Sequence, residues 1–227
     1  ADQVVAGWQR LLREDLKLQV EAYAKDYADY PGRAFRPRAV LQPSGFDNVT
    51  NDIPYGLEPL LSKASGSVRG VELLLQKRLS DIPVYGLLSA SHNRTRFRGL
   101  DGQRSVGAFD APVVVNGLLG WRPNARWELS GRFRTATGLP TTPFTDDGRL
   151  DFTRYNDGQR LPTFFALDLR LDRRFVFRRS QLVTYLDVQN ATARKNVSQI
   201  AWNARLRAPR PDENIGVLPS IGLNWEF

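Results

Sequence analysis

Two stretches of the sequence decide the fold. Residues 165–174 read Phe-Ala-Leu-Asp-Leu-Arg-Leu-Asp-Arg-Arg, and residues 127–135 read Trp-Glu-Leu-Ser-Gly-Arg-Phe-Arg-Thr. In both stretches apolar residues recur at nearly every second position, and polar or fully charged side chains fill the positions between them. Because successive side chains of a β-strand point to opposite faces, this period of two predicts strands with one apolar face and one charged face.

The same alternation recurs along the chain and predicts about nine long strands. Their ranges are roughly 2–13, 15–30, 66–79, 83–97, 110–122, 126–139, 163–176, 180–194 and 216–227. Tight turns alternate with long loops rich in Gly, Pro, Asp and Asn, at about 31–65, 98–109, 140–162 and 195–215. Within the first of these loops, residues 55–63 are expected to form at most one helical turn. The sequence therefore predicts an antiparallel sheet with tight turns at one end and long loops at the other.

The composition excludes several classes of protein. The 227 residues include 25% charged residues and have a mean hydropathy of −0.40, whereas each span of a helical membrane protein needs about 20 consecutive apolar residues. The chain has no cysteine and one histidine, which excludes thiolate metal sites and disulfide scaffolds and argues against a metalloenzyme. It also has no methionine, which predicts a removed signal peptide or a larger N-terminal part before Ala1.

The net charge of +8 comes mainly from arginine, which supplies 27 of the 32 basic residues. These arginines are spread along the chain and interleaved with Asp and Glu. A nucleic-acid-binding protein gathers its positive charge on one face or arm, so no nucleic-acid partner is predicted. Two interpretations of the charge stay open, a water-facing surface and an anion-binding surface.

Aromatic residues cluster at the tight turns, and they include Trp121, Trp127, Phe175, Phe177 and Trp225. Such rings prefer the membrane–water interface, and strands of about 9–11 residues are long enough to cross a bilayer. A soluble β-sandwich, the competing interpretation, uses strands of about 5–6 residues and buries its apolar face in a core. The predicted strands are much longer, so the sequence favours an antiparallel transmembrane β-barrel of outer-membrane type.

The chain ends in Ser-Ile-Gly-Leu-Asn-Trp-Glu-Phe at 220–227. This ending resembles the C-terminal signal strand by which the assembly machinery recognises bacterial outer-membrane barrels. An edge strand with an apolar face and a flexible glycine is a good template for strand addition. The predicted assembly signal comprises Ser220, Gly222, Leu223, Trp225 and Phe227.

With these features the chain resembles the C-terminal part of the β-barrel of a TonB-dependent outer-membrane receptor. The segments that carry the resemblance are, in order, 18–27, 68–75, 131–140, 186–190 and 220–227. The resemblance spans about residues 2–227 and implies a barrel of about 22 strands around an N-terminal plug. It also implies location in the bacterial outer membrane and uptake of a scarce metal chelate, vitamin or oligosaccharide, with energy delivered through TonB.

Residues 1–227 are predicted to form a single domain, the C-terminal portion of such a barrel without its plug. Nine strands are fewer than half of the implied barrel and are odd in number, so further strands and a plug are expected on the same or another polypeptide. TonB is expected to act only through that plug. The other expected partners are membrane lipid, lipopolysaccharide and the barrel assembly machinery. The alternative is a small autonomous or partner-completed barrel with a pore, adhesion or structural role.

Two groups of residues are candidates for a functional role. An interior charge ladder is predicted on neighbouring strands, at Glu128, Arg132, Arg134, Asp168, Arg170, Asp172 and Arg174. A possible ligand loop mixes cations and aromatic rings, which suits an anionic or glycosidic ligand; it contains Arg33, Phe35, Arg36, Arg38, Phe46 and Tyr55. The same loop residues fit lipopolysaccharide contact or simple loop packing.

The sequence predicts no enzyme, and it predicts no catalytic residue, cofactor or metal site. His92 has the strand parity of Leu88, which places it on the apolar face, whereas Ser89 and Ser91 face the other way. Asp168 and Asp172 lie about 13 Å apart by strand rise, too far to share a proton. An outer-membrane enzyme is therefore the least favoured alternative.

Overall fold

The computed structural model describes residues 1–41, 58–157 and 159–227. Nine long strands are β1 (Asp2–Arg13), β2 (Leu16–Arg33), β3 (Leu60–Lys77), β4 (Val84–Arg98), β6 (Val113–Trp121), β7 (Trp127–Ala136), β8 (Phe164–Val176), β9 (Gln181–Gln189) and β12 (Leu218–Glu226). Three shorter strands are β5 (Arg104–Val106), β10 (Val197–Asn203) and β11 (Ala208–Glu213). A 3-10 turn occupies Phe152–Arg154.

The long strands follow one another through one sheet in chain order, from β1 at one edge to β12 at the other. Every neighbouring pair is antiparallel, β5 extends the sheet beside the end of β4, and β10 and β11 form a separate hairpin. The predicted all-β antiparallel architecture is confirmed. Among the described residues β1 and β12 do not pair with each other, so the sheet is not closed into a barrel.

The strand register sorts the side chains onto two chemically different faces. Leu129 of β7 lies opposite Leu171 of β8, which lies opposite Leu186 of β9. One residue along, Glu128 lies opposite Asp172. Since cross-strand partners share a face, the leucines form an apolar face and the acidic residues belong to a polar face.

Burial on these two faces is the reverse of that in a soluble protein. On the apolar face Leu129 and Leu169 are 45% and 41% exposed, whereas on the polar face Glu128 and Asp168 are each only 7% exposed. Phe133, Leu167 and Leu171 also lie on the apolar face. Exposed leucines cost free energy in water but not in hydrocarbon, so this sheet is suited to a bilayer. No helix in the described part of the chain is long and apolar enough to cross a membrane.

Two glycines on the polar face let aromatic rings lie flat against the neighbouring strand. An added Cβ at Gly120 would come within 2.1 Å of the Tyr85 ring, and one at Gly222 within 2.3 Å of the Tyr185 hydroxyl. In each pair the glycine lies directly opposite the tyrosine. The glycine in the terminal motif is therefore needed for close cross-strand packing.

The predicted loop at 195–215 is wrong in part, because it contains the β10–β11 hairpin. Proline occupies two positions of β11, Pro209 and Pro211, and a proline cannot donate a backbone hydrogen bond inside a sheet. It is tolerated here because β11 belongs to a two-stranded hairpin, and no other strand of the described residues pairs with it.

The predicted loop at 31–65 is also shorter than expected, since β2 extends to Arg33 and β3 begins at Leu60. Pro31 is accommodated where the β2–β3 register shifts, next to Asp29 with its positive φ of 53°. The expected helical turn at 55–63 is wrong for residues 60–63, which are strand. Residues 55–57 lie outside the described residues.

A tight turn at Glu14–Asp15 joins β1 to β2 and contacts the next turn along the same end of the sheet. The Asp15 carboxylate accepts hydrogen bonds from Lys77 Nζ and, at 2.6 Å, from Ser80 Oγ. These bonds, that from Lys77 first, lower the pKa of the Asp15 carboxyl from 3.8 to about 2. The contact thus ties together two turns at the end of the sheet that carries the aromatic residues.

The lowered pKa of Asp15 predicts a pH dependence of stability. Because the folded-state pKa lies below the ordinary value, the stabilisation is complete above pH 3.8 and is lost as the pH falls through about 2. We expect Asp15→Asn to have a lower free energy of unfolding than wild type at pH 7. The free energies of the two proteins should converge near pH 2. Urea unfolding in detergent at a series of pH values checks this. A constant difference down to the lowest pH would show that the carboxylate has no such role.

Candidate functional site

The long loops and the β10–β11 hairpin enclose a cavity of about 960 Å³. One wall is formed by residues of the 139–161 loop, and the opposite wall by the hairpin. Aromatic side chains line it at Phe109, Phe144, Phe152, Tyr155 and Trp202, and charged side chains at Arg33, Asp146 and Arg207. Its volume and its mixture of rings and a few charges are typical of a small-molecule site.

Phe144 and Trp202 bring the two walls of the cavity together, with their ring centres 5.6 Å apart. A turn after Phe144 sets this contact, since Gly148 N donates to Thr145 O at 2.9 Å. Gly148 has a φ of +84°, and an added Cβ there would lie 2.3 Å from the Trp202 indole nitrogen. Only glycine combines this backbone conformation with so close an approach of the indole ring.

A second cluster lies where β2 ends. The Arg33 guanidinium pairs with Glu58, and its side chain is only 7% exposed. Arg36 also reaches Glu58, at 3.4 Å, and its guanidinium lies 4.5 Å from the centre of the Phe152 ring. Phe152 is in turn stacked on Tyr155, with ring centres 6.0 Å apart. This cluster joins the end of β2 to the 3-10 turn beside the cavity.

A buried ion pair fixes the loops that carry the cavity. Asp110 is fully buried, and its carboxylate accepts from Arg160 and, at 2.6 Å, from the backbone N–H of Thr95. Arg160 also donates to the carbonyl oxygens of Asp110 and Gly138. A single guanidinium therefore joins the segment before β6 to both ends of the 139–161 loop.

The structure places the predicted ligand-loop residues in different surroundings. Arg33 and Arg36 belong to the cluster described above. Phe35 is 63% exposed, and Arg38 pairs with Asp101 at 3.3 Å and donates to Thr153 O. Phe46 and Tyr55 lie outside the described residues. Of the predicted set, Arg33 lines the large cavity.

On the polar face the predicted charge ladder forms around two buried carboxylates. Asp168 accepts from Arg132 at 2.8 Å, from Arg134 at 3.4 Å and from the backbone N–H of Asn190 at 2.9 Å. Each arginine is partly exposed while the carboxylate is not. The guanidinium groups of Arg132 and Arg134 on β7 thus surround the Asp168 carboxylate on β8. These contacts hold β7 and β8 in register.

Glu128 is the second centre, close to the tight turns. It accepts from Arg174 at 2.5 Å, from Arg122 at 2.7 Å and from the Tyr85 hydroxyl. Arg122 and Tyr85 were not part of the predicted ladder. Tyr85 is two strands away from Glu128, so only the sheet topology brings these residues together.

The remaining ladder residues, Arg170 and Asp172, lie on β8 and are linked to β9 and β12 through Tyr185. Arg170 pairs with Asp172 of its own strand at 2.8 Å, and its guanidinium lies 3.9 Å from the centre of the Tyr185 ring. Tyr185 packs against Gly222 of the terminal strand. The polar face is thereby continuous from the ladder to β12.

The terminal strand β12 pairs with β9 along its whole length and leaves its other edge free of partners among the described residues. Its apolar side chains share the outward face, with Leu223 at 68%, Trp225 at 53% and Phe227 at 97% exposure. Ser220 lies on the opposite face with Gly222, opposite Asp187 of β9.

His92 lies on the apolar face, opposite Val71 on one side and Val113 on the other. Ser89 and Ser91 lie on the polar face, so the strand geometry separates them from the imidazole. Within the described residues no three His, Cys, Asp or Glu side chains are grouped closely enough to hold a metal ion.

Comparison with known proteins gives matches among solved structures alone. No family model and no curated protein matches the sequence. The siderophore receptor PiuA of Acinetobacter baumannii matches with a TM-score of 0.62 at 9% identity. The outer membrane transporter YddB of Escherichia coli matches with 0.65 at 10%, and the ferric-catecholate import receptor Fiu of E. coli with 0.62 at 11%.

The chain has the fold of an outer-membrane receptor barrel wall. The matches to PiuA, YddB and Fiu each cover 99% of this chain, and the resemblance to TonB-dependent receptors is confirmed at the level of the fold. The chain spans 28%, 32% and 27% of the three matched structures. The barrel wall seen here thus corresponds to under a third of each of those proteins.

Proposed function

We propose that this chain is part of the barrel wall of a TonB-dependent receptor in the bacterial outer membrane, and that it contributes wall and external loops to active ligand uptake. The observation that supports this most strongly is the inverted sheet, in which leucines face outward and carboxylates are buried. Hydrocarbon around the apolar face accommodates the outward leucines, and water or protein against the polar face accommodates the carboxylates.

The two edges of the sheet are part of the proposal. In hydrocarbon every unpaired backbone group at an edge costs several kcal/mol. The edges of β1 and β12 are therefore covered in the membrane by further strands, from the same or another polypeptide. A plug held within the completed barrel contacts TonB, and the polar face with its Asp168 and Glu128 centres faces that plug.

The terminal strand is proposed as the segment that the barrel assembly machinery binds. Its residues Ser220, Gly222, Leu223, Trp225 and Phe227 form an apolar edge with a glycine at its centre. Such an edge pairs readily with a strand of another protein before the barrel closes.

The ligand site in this proposal is the 960 Å³ cavity at the long-loop end. Five aromatic rings and two arginines line it against one acidic side chain, Asp146. Aromatic faces stack on planar rings, and arginines pair with anionic oxygens. An anionic iron chelate with aromatic groups fits this lining, in line with the ferric-catecholate specificity in the name of Fiu.

The site is tested by replacing Trp202 with alanine and measuring uptake of radioactive ferric dihydroxybenzoate by iron-starved cells. Loss of a central aromatic contact is expected to weaken binding about tenfold or more. The control is Phe177→Ala, which also removes an aromatic ring, because Phe177 is 53% exposed and lies at the tight-turn end. We expect normal assembly of both variants and normal uptake by the control. Normal uptake by Trp202→Ala, or no uptake by wild type, would contradict the proposed ligand site.

A further inference from the structure

The apolar face carries a groove of about 490 Å³ that crosses the sheet from β2 to β8. Most of its lining residues occupy outward-facing positions of these strands, and the large ones include Leu75, Leu88, Leu119, Phe133 and Leu167. Three glycines on neighbouring strands also line it, Gly86, Gly117 and Gly131. Because these three positions carry no side chain, the lipid-facing surface is recessed there.

The three glycines are not all required by packing within the sheet. The Phe133 ring covers Gly117, where an added Cβ would come within 2.1 Å of it. At Gly131, however, an added Cβ would meet only the end of the Leu169 side chain at 3.3 Å and the Asp168 carbonyl oxygen at 3.7 Å. A glycine inside a strand weakens the strand and often marks a place where a ligand approaches the backbone closely. Gly131 thus leaves space that a side chain could fill.

The groove slopes from the tight-turn end of the sheet towards its middle. Its direction follows from one row of facing residues, Lys77, Gly86, Leu119, Gly131 and Leu169. Lys77 is the last residue of β3, whereas Gly131 and Leu169 lie near the middle of β7 and β8. Four strand spacings of about 4.8 Å make this path about 19 Å long. Half of the hydrocarbon core is about 15 Å thick, so a tilted acyl chain of one leaflet matches the path.

The groove has a charged end, since Lys77 is the one charged residue among those that line it in the described structure. Lys77 Nζ donates to the Asp15 carboxylate, and its hydrogen bonds to Ser80 Oγ and the Arg78 carbonyl oxygen are long, at 3.3 Å each. The side chains of Lys77 and Asp15 are 24% and 19% exposed. The groove therefore ends at an accessible pair of opposite charges.

These features define the chemistry of an occupant. An apolar recess within a bilayer stays dry, so an apolar chain fills it. The pair of opposite charges at its tight-turn end suits a headgroup that carries both a phosphate and an ammonium group. The headgroup of an outer-leaflet lipid would lie at the long-loop end, away from Lys77, because the tight turns of such barrels face the periplasm.

We propose that the groove binds an acyl chain of a zwitterionic inner-leaflet phospholipid, with the phosphate at Lys77 and the ammonium group at Asp15. The proposal rests on the proposed outer-membrane location, which puts the tight turns at the inner leaflet. The lipid is held at one place on the wall, unlike lipids that merely surround the barrel. Its acyl chain completes the recessed surface between Leu75 and Leu167.

The test uses the full chain, assembled in outer membranes and purified in detergent. Gly131→Leu fills the groove, and its control is Ala22→Leu, because Ala22 lies on the apolar face opposite Val71, outside the groove. Lys77→Gln removes the charge at the end of the groove. Its control, Lys17→Gln, removes the same charge from the polar face, opposite Gln76.

Bound phospholipid is counted per protein by native mass spectrometry. Affinity is measured for phosphatidylethanolamine, its short-chain dihexanoyl form, phosphatidylglycerol and lipid A. We expect the wild type and both controls to retain one phosphatidylethanolamine per protein. Gly131→Leu should assemble normally and bind it at least about tenfold more weakly, because the acyl chain loses its apolar contacts.

The two ends of the lipid are tested separately. The dihexanoyl form should bind the wild type at least about tenfold more weakly than the long-chain lipid, because its chains are too short to follow the groove. Lys77→Gln should weaken binding of the long-chain lipid about tenfold through loss of a charge-assisted hydrogen bond. These results together would support the proposal.

Equal binding of phosphatidylethanolamine by Gly131→Leu and wild type would overturn the proposal, as would an equal loss in Gly131→Leu and Ala22→Leu. It would also be overturned if phosphatidylglycerol or lipid A bound as tightly, since neither carries an ammonium group in its headgroup. Failure of the wild type to enter the outer membrane would instead refute the proposed function, and the lipid site with it. The heat-modifiable mobility of the assembled barrel separates these two kinds of failure.

Discussion

Replacing Leu73 with arginine is expected to block assembly of the sheet in the membrane, whereas the same change at the adjacent Leu74 is expected to be tolerated. Leu73 is 36% exposed on the apolar face, where Val20 and Ala90 lie opposite it. An arginine facing lipid near mid-depth costs about 2–4 kcal/mol. Leu74 instead lies on the polar face between Gln19 and Ser89.

The two variants form a matched pair, because both change a leucine to an arginine on one strand. An arginine at 74 meets Glu21 and Glu72 across a water-accessible groove that these residues line with Gln19 and Ser89. Assembly is measured as the heat-modifiable fraction in outer membranes, and stability as the free energy of unfolding in lipid vesicles. Equal loss in both variants, or a greater loss at 74, would show that the assignment of the two faces is wrong.

Replacing Asp110 with leucine is expected to free the loops around the cavity without disturbing the wall. Removing one member of a buried ion pair costs about 3–5 kcal/mol, and the lower end applies here because the Arg160 side chain is 27% exposed. The loops at 107–112 and 139–161 should become protease-sensitive, and ligand uptake should fall. Hydrogen exchange of these loops measures the local effect.

The control for Asp110 is Asp147→Leu in the 139–161 loop. Asp147 pairs with Arg149 at 3.3 Å, but both side chains are largely exposed, and such pairs contribute about 0–1 kcal/mol. A double-mutant cycle with Arg160→Gln separates the ion pair from the Thr95 hydrogen bond. If Asp110→Leu and Asp147→Leu gave the same hydrogen exchange, the buried pair would not hold the loops.

The nine wall strands could be predicted because their pattern is local. A residue's position in the alternation fixes its face, so the outward leucines of β7 and β8 followed from the sequence alone. The positions of the tight turns followed from the same pattern. Strand ends were less predictable, since β2 continues through Pro31 by means of a bulge at Asp29.

The candidate site could not be predicted because its contacts join distant loops. Asp110 and Arg160 are 50 residues apart, the first at the start of a predicted strand and the second within a predicted loop. The β10–β11 hairpin that supplies Trp202 was hidden by its prolines, which normally argue against a strand. The pairing within the charge ladder was also only partly predictable, because Arg170 pairs along its own strand rather than across to β7.

The central claim is that one face of the sheet lies in lipid and the other faces water. Measuring which side chains along β3 contact lipid and which contact water tests this claim most directly. The chain has no cysteine, so single cysteines at each of residues 71–76 can carry a nitroxide label without a background signal. In assembled membranes, labels at 71, 73 and 75 should collide with oxygen dissolved in the lipid, and labels at 72, 74 and 76 with a water-soluble nickel chelate. Uniform accessibility along the strand, or a protein that stays monodisperse in buffer without detergent, would contradict the account.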